Sequence, residues 1–231
     1  MCGRFTLTLN PDVLREVFEL DSVPAELVPR YNIAPTQPVA AVLAGDGGRK
    51  LELLKWGLIP SWAKDPKIGN RMINARGETL AEKPSFRSAF KKRRCLIVAD
   101  GFYEWKKEGK TKTPMFIQLK DGRPFAFAGL WEAWKSPDDT WIKSCTIITT
   151  EPNSLMEKIH DRMPVILPPK AYDLLLTPGE LPAEKTLPLL KPFAASQMKA
   201  AAVSTLVNNP AFDSPECVRP DKNFPLFAPS Q

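Results

Sequence analysis

Pro114-Met115-Phe116-Ile117-Gln118-Leu119, Lys120-Asp121-Gly122-Arg123-Pro124 and Phe125-Ala126-Phe127-Ala128-Gly129-Leu130 form two apolar runs around a turn. Each run has the length of a buried strand and carries aromatic or branched side chains, and Asp121-Gly122 supplies the positive φ that tight hairpin turns require. The stretch therefore predicts an antiparallel β-hairpin. Outward from it, Val39 to Leu43, Leu51 to Trp56, Cys95 to Ala99 and Cys145 to Thr149 are further apolar or alternating runs that read as strands, and Phe5 to Leu9 alternates. Helices are fewer. Asn10-Pro11 followed by Val13, Leu14, Val17 and Phe18 has a capping side chain, a proline in the first turn and one apolar face. The fold class expected is α+β.

The chain has 231 residues, 43% of them hydrophobic, enough for one sizeable core. Its 24 prolines are spread throughout, with no linker, charge block or repeat. We expect a single domain over residues 1–220, its pairing fraying after about Arg219, and a tail over 221–231. A formal net charge of +6 permits attraction to phosphates but is also ordinary for a soluble enzyme. Cys2, Cys95, Cys145 and Cys217 lie far apart, with no C-x-x-C pair and one histidine in the chain, so no metal site and no cofactor are expected. Scattered cysteines, together with the lack of a leader or a run of eighteen apolar residues, predict a reducing cytosolic location and no membrane association.

Met1-Cys2-Gly3 directs attention to Cys2. Removal of Met1 leaves a residue with both an α-amine, pKa about 8, and a thiol, pKa about 8.5, so that a useful fraction of each is nucleophilic near neutral pH. One aldehyde can take both: the amine forms a Schiff base and the thiolate closes a five-membered thiazolidine. Position alone equally allows Cys2 to be a small residue that begins a strand. His160, the sole histidine, sits in Ile159-His160-Asp161-Arg162-Met163-Pro164 and is either a proton-transfer group or a structural one. Glu104, in Asp100-Gly101-Phe102-Tyr103-Glu104-Trp105, is flanked by aromatics that would raise its pKa if they bury it; on an alternating strand it could instead face solvent.

Asn74 and Arg76 lie two apart, suited to a sugar hydroxyl and a phosphate if the segment is extended, since alternation then puts both on one face. Arg4 and Arg30-Tyr31-Asn32-Ile33-Ala34-Pro35-Thr36 add donors and a rigid turn. Of the tryptophans around Pro60, Trp56 is assigned to the core and Trp62 to contact with bases.

In order, Met1-Cys2-Gly3-Arg4-Phe5, Arg30 to Pro35, Trp56-Gly57-Leu58-Ile59-Pro60, Asn74-Ala75-Arg76-Gly77-Glu78-Thr79, Asp100 to Trp105 and His160 to Pro164 resemble the motifs of the SOS-response-associated peptidase (SRAP) family. The resemblance extends from residue 1 to about 220. It implies a mainly antiparallel, barrel-like β core with peripheral helices, and a basic groove for single-stranded DNA crossing the amino terminus. It further implies covalent capture and shielding of abasic sites. Cys2 would be the nucleophile, Asn74 would stabilise the sugar or intermediate, and Glu104 and His160 would transfer protons. Arg4 and Arg76 would hold phosphates, with Asn32, Pro35, Thr36 and Trp62 near the strand. Some relatives place two adjacent aromatics where this chain has Trp62-Ala63, which bears on preference for replication-fork junctions. Weak lyase activity, removal of Met1 by a cellular aminopeptidase or by the protein itself, a monomeric state and association with the nucleoid through DNA complete these expectations.

Two rivals remain at this level. An amino-terminal-nucleophile amidohydrolase would use Cys2 on an amide without DNA. A non-covalent single-strand binding module would leave Cys2 incidental.

Overall fold

The computed structural model describes residues 2–45 and 47–221. Its strands in chain order are β1 (Phe5–Leu7), β2 (Leu20–Ser22), β3 (Arg30–Ile33), β4 (Pro38–Gly45), β5 (Gly48–Trp56), β6 (Asn74–Arg76) and β7 (Arg94–Ala99). There follow β8 (Gly101–Glu108), β9 (Thr111–Leu119), β10 (Phe125–Lys135), β11 (Trp141–Thr150), β12 (Met163–Pro164), β13 (Ile166–Leu167) and β14 (Met198–Ala202). Four α-helices, α1 (Pro11–Phe18), α2 (Arg87–Lys92), α3 (Tyr172–Leu176) and α4 (Ala183–Thr186), are short and peripheral to the strands.

Five strands close on themselves. β11 pairs with β10, β10 with β7, β7 with β4 and β4 with β5, all antiparallel, and β5 returns to β11 in parallel with Ser144 opposite Lys55 and Cys145 opposite Trp56. Closure satisfies the edges that an open sheet would expose. A second, five-stranded antiparallel sheet in the order β14-β9-β8-β1-β3 packs against this barrel. The packing is aromatic: Phe5 of β1 meets Trp56 and Phe127 edge-on, with ring centroids 5.1 and 5.8 Å apart, and Phe102 of β8 meets Phe127 at 5.9 Å. Fully burying a side chain such as Phe5 contributes about 2–3 kcal/mol, so the amino-terminal strand is held by its own core residue three positions after Cys2.

The sequence-derived strands all form, several extended by a few residues, and α1 is capped as expected, Asn10 accepting from the Asp12 amide at 2.9 Å. The hairpin over 114–130 does not form. β9 pairs with β8 and β14, whereas β10 pairs with β7, β11 and β13. Gly122 does adopt positive φ (71°), and its N–H donates to Leu119 O at 3.2 Å. The local turn is thus correct, but it carries the chain from one sheet to the other. Asp-Gly fixes backbone sign and says nothing about partners; both edges of β9 are already occupied. Pairing also continues past Arg219, since Val203 bridges Pro220 and Asp221 N–H donates to Ala202 O at 2.8 Å. Of the expected tail, 222–231 lies outside the described residues. Among the described residues, no helix is long and apolar enough to cross a membrane.

Candidate active site at the amino terminus

β1 is fixed not only by Phe5. The Asp100 carboxylate accepts from the Thr6 hydroxyl and, at 2.6 Å each, from the Thr8 amide and hydroxyl. Tyr103 N–H donates to Arg4 O at 2.9 Å, continuing the β1–β8 alignment toward Cys2. A terminus tied in this way presents its first residues at a defined place.

Cys2 is fully buried. Burial pushes its thiol pKa well up, and the neighbouring Glu104 carboxylate pushes it further. The same burial raises the pKa of Glu104, which is 3% exposed on β8. Glu104 and His160 line one open cavity of about 390 Å³ together with Trp105, Lys107, Lys112 and Asn208. His160 is half-buried, and its charge lowers the Glu104 pKa against the effect of burial. Its Nδ1 accepts from the Arg162 amide at 3.0 Å and lies 2.7 Å from Asp161 Oδ1. One nitrogen cannot do both at once: the unprotonated Nδ1 accepts from Arg162, and a protonated Nδ1 donates to Asp161. The ring therefore has a defined partner whether or not Nδ1 carries a proton.

Asn74 reaches the same place from β6, a strand laid parallel to β11 with Asn74 opposite Ile147. Its Nδ2 donates to Cys2 O at 2.8 Å, while its Oδ1 is buried without a hydrogen bond among the described residues. A buried acceptor left open costs about 1–3 kcal/mol, so Oδ1 is available to accept a hydrogen bond. Arg76, two residues on, is exposed.

Arg4 is half-buried. Its Nη1 donates to Asn32 Oδ1 and Val207 O, both at 2.6 Å, and its guanidinium lies 5.8 Å from the Trp105 ring centroid. Asn32 is fully buried and donates to Asn209 O at 3.0 Å and Phe212 O at 2.6 Å, so it contacts Arg4 and not solvent. Pro35 and Thr36 form a turn closed by Gln37 N–H to Ala34 O at 3.3 Å. Thr36 is exposed at φ 72°, a strained conformation for a branched residue. Trp62 is 58% exposed, whereas Trp56 is buried and donates to Ile73 O at 2.9 Å. Ala63 is buried beneath Trp134, whose Nε1 donates to its carbonyl at 2.7 Å. The position that carries a second aromatic in some relatives thus faces inward here.

The cavity brings Glu104 and His160 together, with Cys2 against Glu104 and Asn74 against Cys2. Arg76, Pro35, Thr36 and Trp62 do not line it. Sequence reasoning missed two elements. Arg162 binds Glu78 in bidentate fashion at 2.6 and 2.9 Å and Thr149 O at 2.8 Å, clamping the turn after β6 to the His160 loop. Residues 207–213 form the floor under Arg4 and Asn32, and Asn208 accepts from Trp105 Nε1 at 2.7 Å. Glu78 and Arg162 both fall inside quoted motifs, and that placement is the one signal that could have found them. Among the described residues no cluster of His, Cys, Asp and Glu could hold a metal ion.

Comparison with known proteins identifies the family. The family model described as SOS response associated peptidase (SRAP) matches residues 1–210. The abasic site processing protein YoqW of Bacillus subtilis is 50% identical over 221 residues, covering 94% of this chain and 99% of the relative. The abasic site processing protein HMCES of Xenopus tropicalis is 33% identical, covering 94% of this chain and 78% of its own. A crystal structure of a Bacteroides thetaiotaomicron protein superposes with a TM-score of 0.85 at 28% identity, covering 95% of this chain and 100% of that one.

Proposed function

This chain belongs to the SOS response associated peptidase family, and from that premise we propose that it captures abasic sites in single-stranded DNA covalently through Cys2 once Met1 is removed. The observation that carries the reading is the chain that joins Asn74 to Cys2, Cys2 to Glu104, and Glu104 to His160 across one cavity, with relatives named for abasic site processing.

The Cys2 amine attacks the aldehyde carbon of the opened sugar, giving a carbinolamine. Protonated Glu104, favoured by its burial, gives a proton to the departing hydroxyl, and water leaves as the imine forms. His160 carries protons between the amine, the hydroxyl and bulk water. The thiol, neutral at rest because of its raised pKa, adds to the imine carbon; its proton passes to nitrogen, and the thiazolidine closes with water as the only product released. The open Oδ1 of Asn74 accepts from the amine or a sugar hydroxyl. Arg4 and Arg76 hold flanking phosphates, Asn32 fixes Arg4, and Pro35, Thr36 and Trp62 border the strand.

An imine that fails to close labilises the 3′ phosphate to β-elimination, giving weak lyase activity. Cys2→Ala, which keeps an amine, favours that branch. Removal of Met1 by the protein itself and preference for replication-fork junctions belong to the same proposal.

Mature protein incubated with an oligonucleotide carrying one abasic site forms an adduct that survives denaturing electrophoresis, and an intact oligonucleotide does not. Absence of that adduct with Cys2 verified as the free terminus overturns the reading. Cys2→Ser giving an adduct of the same yield and heat stability as wild type excludes the thiol as the second bonding atom.

A further inference from the structure

β8 and β9 form a hairpin that runs out past the active cavity. In its register Lys107 stands directly opposite Lys112, and both line the cavity that Glu104 and His160 share. Residues directly opposite on antiparallel strands have Cβ atoms about 4.5–5.5 Å apart, and like charges so placed destabilise the pair. Glu108 on the same hairpin does not offset this, since it bonds Lys106, whose side chain belongs to the other face of β8. Both Lys107 and Lys112 are exposed, and among the described residues neither is paired with a carboxylate. Two ammonium groups thus converge on the rim of the cavity.

We propose that Lys107 and Lys112 form a phosphate clamp that takes a sugar-phosphate linkage flanking the captured abasic sugar. The inference rests on the proposed function and names a DNA contact outside the arginines assigned above. A phosphate between the two lysines removes their repulsion, and the cavity next to them holds the groups that act on the neighbouring sugar. Both lysines lie beyond Trp105 along the hairpin, so the clamp fixes the register of the strand without entering the bond-forming step.

The test separates binding from capture by using an oligonucleotide with a tetrahydrofuran abasic analogue, which has no aldehyde. Affinity is measured between about 0.05 and 0.2 M salt, a range over which phosphate contacts dominate the change, for the wild type and for Lys107→Ala/Lys112→Ala. Lys170→Ala/Lys191→Ala, exposed lysines outside the cavity, gives the same change in net charge. Losing one single-strand phosphate contact lowers the slope of log K against log salt by about 0.7, so the advantage of wild type over the Lys107/Lys112 variant shrinks about 3-fold across that range. A single uncharged methylphosphonate at the clamped linkage reproduces the loss in wild type and adds nothing in the variant. The clamp is overturned if the variant keeps the wild-type slope, if the control pair loses as much, if no methylphosphonate position is silent in the variant, or if wild type does not bind the analogue. Failure of the wild type to form an adduct with a true abasic site overturns the capture chemistry and leaves the slope measurement to decide the clamp.

Discussion

Asn74→Asp changes one nitrogen to an oxygen and nothing in shape, yet it reverses the polarity of the contact with Cys2. Asn74 Nδ2 donates to Cys2 O at 2.8 Å. Losing that bond costs about 1 kcal/mol, and placing an ionised carboxylate against the carbonyl leaves acceptor facing acceptor at a further cost of about 1–3 kcal/mol. If the bond holds Cys2 in its reactive position, the total of about 2–4 kcal/mol slows single-turnover adduct formation by about 30- to 1000-fold. Asn74→Ala loses the same bond and the Oδ1 acceptor but places no charge against the carbonyl, and is slowed by about 5-fold or somewhat more. The larger shape change is thus the milder one. Acidification distinguishes the cause further. A protonated carboxyl at position 74 donates to Cys2 O as the amide does, so the ratio of the wild-type rate to the Asn74→Asp rate falls as pH is lowered, whereas the ratio to the alanine variant stays level. The assay is quenched-flow or manual sampling onto denaturing gels at several pH values. Equal rates for wild type and Asn74→Asp at pH 7, or an alanine variant slower than the aspartate variant at every pH, would refute the positioning role of the bond.

Burial favours neutral Glu104, so adduct formation that uses it as an acid declines as pH rises through its raised pKa, and Glu104→Gln removes that limb of the pH–rate profile. The same raised value gives a stability contribution that is present below the usual carboxylate range and lost as pH rises through the folded pKa; urea midpoints of the glutamine variant decline less across that window. Arg162 holds the Glu78 pKa below its usual range, so that clamp contributes above about pH 4.3 and is lost as pH falls through the folded value; because Glu78 is half exposed, Glu78→Gln costs only about 1 kcal/mol in a denaturant titration. Trp62→Ala leaves stability within about 0.5 kcal/mol but weakens single-strand affinity by about 1–3 kcal/mol in fluorescence titrations if a base stacks there. Arg94, 4% exposed, donates to the carbonyls of Phe90, Lys91, Leu175, Thr177 and Gly179; Arg94→Met removes these donors, Lys91 O keeping the Leu181 amide at 3.0 Å, and lowers unfolding free energy by about 3 kcal/mol, with Arg94→Lys, whose ammonium has fewer donors, recovering part of it.

The strands were legible because local periodicity and β-branched or aromatic content are properties of a few consecutive residues. Their partners were not. Asp121-Gly122 looks the same whether the chain folds back on itself or crosses to another sheet, and the choice is made by β14, which arrives late in the chain to occupy the edge of β9. The division between Trp56 and Trp62 was readable from the proline between them. That Ala63 turns inward beneath Trp134 was not, since Trp134 comes from β10. Within the candidate site the reactive groups stood out as residue types in quoted motifs, Cys2, Asn74, Glu104 and His160 among them. Asn32 was read as lying near the strand; its burial follows from carbonyls at Asn209 and Phe212, which no local pattern announces.

Those long-range contacts bear on how Cys2, the proposed nucleophile, is held in place. The first residues of a domain usually fray unless tied down, and a reactive group must be held within about 0.5 Å of its productive place. Here Phe5 is wedged between Trp56 and Phe127, Asp100 grips Thr6 and Thr8, and Asn74 holds the Cys2 carbonyl. Arg4 completes the set by tying the second residue after Cys2 to Asn32 and to Val207, near the opposite end of the chain. Each tie comes from a different element, so no single loop movement releases Cys2. A guanidinium half-buried against Trp105 keeps its charge beside the cavity while its Nη1 is occupied in fixing the backbone. Arg4 is therefore both an anchor of the nucleophile and a cation beside the cavity, and the burial of Asn32, which at first sight removes that residue from the strand's path, is what allows Arg4 to do both.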